Sequence, residues 1–213
     1  MNKILSKVFS WMFAGLLITF LTGYYLSLNE VALAKIFSGY TYLFIAIIEF
    51  ILVIYLSARI TKMSPTTARI CFLLYSFMTG ITFGAIFIVY EITSIVYTFL
   101  ITAAVFGIFA LIGKTTKVDL TRISSYLVIG LFAVILCSII NIFLKSTGFE
   151  MLISIVTIII FLGLTAADIQ KIQRLEGIIP EENLPIYGAL ELYLDFINIF
   201  IELLKFFGKA KDN

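Results

Sequence analysis

Gly188-Ala-Leu-Glu-Leu-Tyr-Leu-Asp-Phe-Ile-Asn-Ile-Phe-Ile-Glu202 decides the class of this chain. The stretch is apolar enough to enter a bilayer, yet it carries Glu191, Asp195, Asn198 and Glu202. They are spaced by four, three and four residues, so a helix gathers them into one polar stripe on an apolar cylinder. A carboxylate at mid-bilayer depth costs about 3 kcal/mol on insertion scales, so the stripe must face other helices or water rather than lipid.

The rest of the chain agrees with a membrane setting. Of 213 residues, 62% are hydrophobic and 13% charged, and the mean hydropathy is +1.11. A soluble domain carries about a quarter charged residues, so an integral membrane protein is the class that fits. A net charge of +2 gives no reason to expect a nucleic-acid partner. Cys71 and Cys137 sit inside apolar runs with no disulfide or metal-ligand spacing and read as small buried hydrophobes. Histidine is absent. Proton-linked switching near neutral pH therefore has to use carboxylates.

Seven apolar segments follow one another, at about 8–28, 31–57, 67–89, 94–112, 123–144, 151–172 and 184–207, within one domain of residues 1–213. The first is too long for a signal peptide and lacks its small-residue cleavage site, so an uncleaved span is expected. Ser64-Pro65 predicts an N-cap followed by proline at the first helical position. Gly80 and Gly84 in the third span, and Ala103 and Gly107 in the fourth, are small residues one turn apart, where helix backbones can approach closely. Residues 113–119, from Gly113 onward, read as the loop before the fifth span.

Charge suggests the orientation. With the N-terminus inside, the inner segments hold Lys3, Lys7, Arg59, Lys62, Arg69, Lys114, Lys117, Arg122, Lys171 and Arg174, ten cations. The outer segments hold Lys35, Lys145, Lys205, Lys209 and Lys211, five. Ten against five favours a cytoplasmic N-terminus. The basic tail is discordant. Either it lies outside despite its charge, or the seventh span turns back to the inner face.

Five acids fall within spans: Glu49, Asp168, Glu191, Asp195 and Glu202. Asp168 and Asp195 stand out, because the sixth and seventh spans are joined by a short loop and run antiparallel. At 1.5 Å per residue, Asp168 lies roughly 10 Å from the inner end of its span and Asp195 roughly 16 Å from that of its own. Two carboxyls meeting away from bulk water share a proton, and the titration then belongs to the pair. The pair reads either as a proton-sensitive latch or as a permanently protonated packing contact. Arg59, at the inner end of the second span, is a candidate partner for whichever aspartate ionises, or a headgroup anchor. Glu49 lies deeper on that span, and with Glu191, Asn198 and Glu202 it is a candidate for lining a polar path.

Three motifs carry a resemblance: Tyr193-Leu-Asp-Phe-Ile-Asn198 in the last span, Gly163-Leu-Thr-Ala-Ala-Asp168 followed by Gln170-Lys-Ile in the sixth, and Met63-Ser-Pro-Thr-Thr-Ala68 before the third. Over essentially its whole length the chain resembles a bacterial member of the Bax inhibitor-one family, also called the transmembrane Bax-inhibitor-motif family. That resemblance implies an all-α membrane fold of seven helices, with the last central and six wrapped around it. It also implies a pH-dependent calcium leak gated by an aspartate pair, here Asp168 and Asp195. The arginine that moves with opening matches Arg59, and Glu49 matches an acid of the same helix.

The leading expectation is thus a calcium-leak channel in the bacterial inner membrane. Its partners are lipid, calcium ions and protons, and it needs no cofactor beyond the transported ion. No EF-hand-like loop is present, so Asp168 and Asp195 would form only a weak, transient calcium site. The alternative is a non-conducting protein that binds a membrane partner and modulates a membrane protease or stress response. An intramembrane aspartyl protease is disfavoured. Such enzymes carry Tyr-Asp and Gly-x-Gly-Asp, whereas Leu194 precedes Asp195 here and Ala167 precedes Asp168. No enzymatic activity is expected.

Overall fold

The computed structural model describes residues 3–211. They form α1 (Lys3–Ser27), α2 (Glu30–Phe37), α3 (Thr41–Arg59), α4 (Pro65–Val89), α5 (Ile92–Thr115), α6 (Leu120–Leu144), α7 (Thr147–Arg174) and α8 (Leu184–Phe207). All but α2 are long and apolar enough to cross a membrane. Among the described residues there is no strand beyond isolated bridges. The chain is an all-helical, multi-pass membrane protein.

The second expected span, 31–57, is not one helix. It breaks at Ser38-Gly39-Tyr40 into α2 and α3. Asn29 caps α2 by accepting from the Ala32 amide at 3.0 Å, and Gly39 takes φ +59°, a left-handed turn that glycine adopts without strain. Eight residues reach only about 12 Å, too short to cross, whereas the 19 of α3 reach about 28 Å, close to a hydrocarbon core of about 30 Å. The apolar residues on both sides of the glycine hid the turn.

Contacts divide the chain into two compact units. One comprises Met1–Ile92, Leu175–Tyr193 and Lys209–Asn213; the other comprises Thr93–Arg174 and Leu194–Gly208. The first half of α8 therefore counts with the first unit and its second half with the other.

In the first unit α1 packs along α4 through glycines. A Cβ on Gly80 would stand 2.9 Å from the Thr19 carbonyl, and one on Gly15 would stand 2.7 Å from the Phe72 ring. Lipid gives helices no hydrophobic reason to associate, so this closeness is what supplies the van der Waals contact. Ser64 caps α4 and Pro65 is its first residue, as the sequence predicts.

The residues that flank α8 are tied to opposite ends of α4. Asn183, just before it, bonds to the loop ahead of α4. The tail beyond it pairs with the turn after α4: the Glu91 amide donates to the Lys209 carbonyl at 2.8 Å, and the Lys211 amide to the Val89 carbonyl at 2.9 Å. This removes the alternative in which the seventh span turns back. The tail cations also have local partners, Lys209 with Glu91 at 2.6 Å and Lys211 with the Phe87 carbonyl at 2.8 Å.

In the second unit α6 packs on α7, leaving the rest of its surface open; no α6 residue is fully buried. The Phe196 ring of α8 meets Phe99 and Phe106 of α5, at 5.1 and 5.5 Å between centroids. The most buried spans are α7 and α8, with 67% and 78% of their apolar windows inside, against 6% for α3 and α6. The polar stripe thus lies on the least lipid-exposed span, as the cost of membrane charge requires.

Candidate functional site

Asp168 on α7 and Asp195 on α8 belong to the same compact unit, and both are buried, at 6% and 4% exposure. The α7 segment that carries Asp168 is lined with buried small and apolar side chains, among them Ala166, Ala167 and Ile169. Such surroundings solvate a polar side chain poorly, so a charge or a hydrogen bond has to compensate it. One compensating charge stands on α7 itself. Lys171 Nζ lies 4.0 Å from Asp168 Oδ1, one turn on, with much of the lysine side chain in the open. In the sequence Lys171 counts only toward topology, although its i,i+3 spacing from Asp168 is a signal for this pair.

Two features hold α7 in place around Asp168. The first is Gly113, which is buried in the last turns of α5 and belongs to that helix rather than to a loop. A Cβ there would stand 2.7 Å from the Ala166 Cα and 2.8 Å from its carbonyl carbon, so the α5 and α7 backbones touch. Ala103 and Gly107, the small pair expected to do this, are exposed, and a Cβ on Gly107 would meet nothing within 4 Å.

The second is Gln170, two residues after Asp168. Its Oε1 accepts from the Leu120 amide at 2.8 Å and its Nε2 donates to the Val118 carbonyl at 2.9 Å. One side chain thereby pins the α5–α6 loop to α7. Arg174 adds an ion pair to Asp119 at 3.0 Å, and Asp119 caps α6 by accepting from the Thr121 amide. Hydrogen bonds from the Thr121 hydroxyl and amide, and then Arg174, hold the Asp119 carboxyl down to about 2.

The remaining stripe residues separate. Asn198 turns its amide back to the Leu194 carbonyl of its own helix at 2.8 Å. Glu202 is held by Lys205, with oxygens 2.8 and 3.0 Å from the ammonium. Both share the second unit with the aspartates. Glu191 is half-buried and belongs to the first unit, as do Glu49 and Arg59. Glu49 accepts from the Thr79 hydroxyl at 2.7 Å, and Arg59 is the exposed last residue of α3. Of the four stripe residues, Asp195 alone is fully buried.

Tyr193, which opens the last-span motif, is fully buried. Its hydroxyl lies 2.6 Å from that of Thr19, which donates to the Ser76 carbonyl at 2.9 Å. The threonine has one proton to give, so the phenol is the donor between them. Phe72 and Tyr75 meet the Tyr193 ring edge-on, at 5.8 and 5.9 Å. Both cysteines are free and half-buried. Among the described residues, no three acidic, histidine or cysteine side chains lie together as a metal cluster.

Comparison with known proteins adds to this geometry. The family described as inhibitor of apoptosis-promoting Bax1 matches residues 1–212. A protein of Borreliella burgdorferi is 41% identical, over all of this chain and 94% of its own. The inner membrane protein YbhL of Escherichia coli K12 is 38% identical, over 97% of this chain and 92% of its own. A Deinococcus radiodurans protein is 32% identical over 98% of this chain and 90% of its own.

Proposed function

Since the chain belongs to the Bax inhibitor-1 family, we propose that it is a pH-sensitive calcium-leak channel gated by Asp168 and Asp195. The observation that carries this reading is the burial of both aspartates in one compact unit, on the two spans least exposed to lipid. Two acids there share a proton at one pH and repel as anions at a higher one. Proton loss therefore acts directly on the packing of α7 against its surroundings. Lys171, one turn on along the same helix, is the cation at hand for the ionised Asp168.

Calcium takes six to eight oxygen ligands, more than two carboxylates supply, so the pair suits passage rather than storage. We place the protein in the bacterial inner membrane with its N-terminus in the cytoplasm. The support is the printed location of YbhL and the excess of cations on the side of Lys3 and Lys7. The C-terminal tail then lies outside, with Lys209 and Lys205 paired to Glu91 and Glu202 and Lys211 donating to the Phe87 carbonyl.

The test is calcium flux in proteoliposomes from about pH 5 to about pH 8. Wild-type flux should change across that range, and Asp195→Asn and Asp168→Asn should each flatten the dependence. Unchanged flux and pH dependence in both variants would sink the reading. Absent flux from folded wild-type protein that retains a membrane partner would favour the non-conducting alternative.

A further inference from the structure

The first compact unit holds an apolar groove that its own packing leaves unfilled. Leu21, Tyr24 and Tyr25 of α1, Ile36 of α2, and Phe77 and Ile81 of α4 line a cavity of about 670 Å³. The glycines of α4 set its walls. A Cβ on Gly80 would stand 2.5 Å from the Thr22 Cβ of α1. One on Gly84 would stand 3.1 Å from a Leu26 methyl of α1 and 3.3 Å from a Leu33 methyl of α2. Three helices thus meet through small residues, and the bulkier side chains beside that contact stand outside it. Leu33 is buried and holds α2 in place, while Leu21, Tyr25 and Phe77 are exposed.

The groove has the depth of one leaflet. Phe77 is the middle residue of α4, twelve residues from Val89, which is about 18 Å along the helix. One leaflet supplies about 15 Å of hydrocarbon, half of a core of about 30 Å. Tyr24 and Tyr25 stand in the last turn of α1, the level at which a tyrosine keeps its ring in hydrocarbon and its hydroxyl among headgroups. Tyr24 is fixed there by the Phe20 and Phe87 rings, at 6.3 and 5.9 Å between centroids. Walls this apolar offer water too few partners to hold it, and the surrounding medium at that depth is hydrocarbon. The occupant that fits is an acyl chain. A charge then selects its headgroup. Lys35 directly precedes Ile36, is exposed, and its ammonium pairs with no described residue. Lys209 and Lys211, by contrast, are held by Glu91 and the Phe87 carbonyl. Of these three lysines, Lys35 is the one left to meet a phosphate.

We propose that this groove is a binding site for one anionic phospholipid, with an acyl chain against Phe77 and Ile81 and the phosphate at Lys35. Binding here is independent of whether the protein conducts calcium.

The test is native mass spectrometry of the full chain in mild detergent, titrated with phosphatidylglycerol or with phosphatidylethanolamine. The wild type should retain one phosphatidylglycerol and prefer it to phosphatidylethanolamine. Lys35→Gln should cut that preference about fivefold, the worth of one lysine at a membrane surface. Leu21→Trp and Ile36→Trp fill the groove, and each should abolish retention. A second measurement needs no substitution and so stands even if a tryptophan variant fails to fold. In bilayers, phosphatidylglycerol with a photoreactive group at mid-chain should label residues 21–26 and 77–81 more heavily than Ile135, Leu136, Ile139 and Ile140 of α6. Those four are exposed and lie a similar number of residues from their helix end. Equal retention of the two lipids by the wild type overturns the proposal, and so does labelling no heavier than at α6. A lipid-free homodimer broken by Leu21→Trp would also overturn it, giving the groove to a second copy of the chain.

Discussion

Gly113 and Gly107 lie on the same helix, and the structure predicts opposite responses to one added methyl group. At Gly113 the new Cβ would press hardest on the Ala166 carbonyl oxygen and would stand 2.7 Å from the Ala166 Cα, where ordinary contact begins at 3.4 Å, so α5 and α7 must part by more than the 0.7 Å between those two distances. The atoms in the way are backbone, which cannot swing aside as a side chain would. Overpacking of this kind costs about 1–3 kcal/mol. At Gly107 a Cβ meets nothing within 4 Å. Both substitutions gain the same alanine advantage in helix propensity, up to about 1 kcal/mol, and the difference between the variants cancels it. Gly113→Ala should therefore be less stable than Gly107→Ala by about 1–3 kcal/mol. In a chain of this length that is about 2–12 °C in unfolding temperature, from about 2–4 °C per kcal/mol. Thermal unfolding of the purified proteins in one detergent measures it. Equal midpoints would refute the claim that α5 and α7 touch at Gly113. Ala166 lies two residues before Asp168, so Gly113→Ala should also move the pH profile of flux, and Gly107→Ala should not.

Two further predictions concern stability. Asp119 is held to about 2, below its ordinary 3.8, so the stabilisation it gives is complete above about pH 4 and disappears as pH falls through about 2. Between those values the unfolding temperature of the wild type should fall more steeply than that of Asp119→Asn, which has no proton to gain; parallel slopes would contradict the cap. Tyr193→Phe and Thr19→Val each remove one end of a buried hydroxyl pair, so a double-mutant cycle should return a coupling of about 0.5–1.5 kcal/mol. Strict additivity of the two would show that the hydroxyls do not bond.

Much of the candidate site is legible without the structure. An acid in an apolar span is costly wherever the span lies, so Asp168 and Asp195 are marked by their immediate neighbours. What their neighbours do not reveal is which group holds each of them. In the sequence Lys171 reads as a topology charge and Gln170 as part of a motif. Their partners, Asp168 and the Val118–Leu120 segment, are specified by the fold. The four-residue stripe likewise looks uniform in sequence, while in the structure Asn198 bonds to its own helix and Glu202 pairs with Lys205.

The membrane class, the number of spans and the cap at Ser64-Pro65 can be read from the chain alone, because hydropathy, length and capping are properties of residues a few positions apart. Tertiary structure decided the rest. It broke the second span at Gly39, where apolar flanks masked a turn, and it chose Gly113 over Gly107 as the point where two backbones meet. It set the Asn183 amide against the Ile60 and Met63 carbonyls at the end of α3, and it laid the tail along the turn after α4. Each of these depends on groups distant in the chain, and in lipid that choice rests on close packing and hydrogen bonds rather than on hydrophobicity, which every span shares.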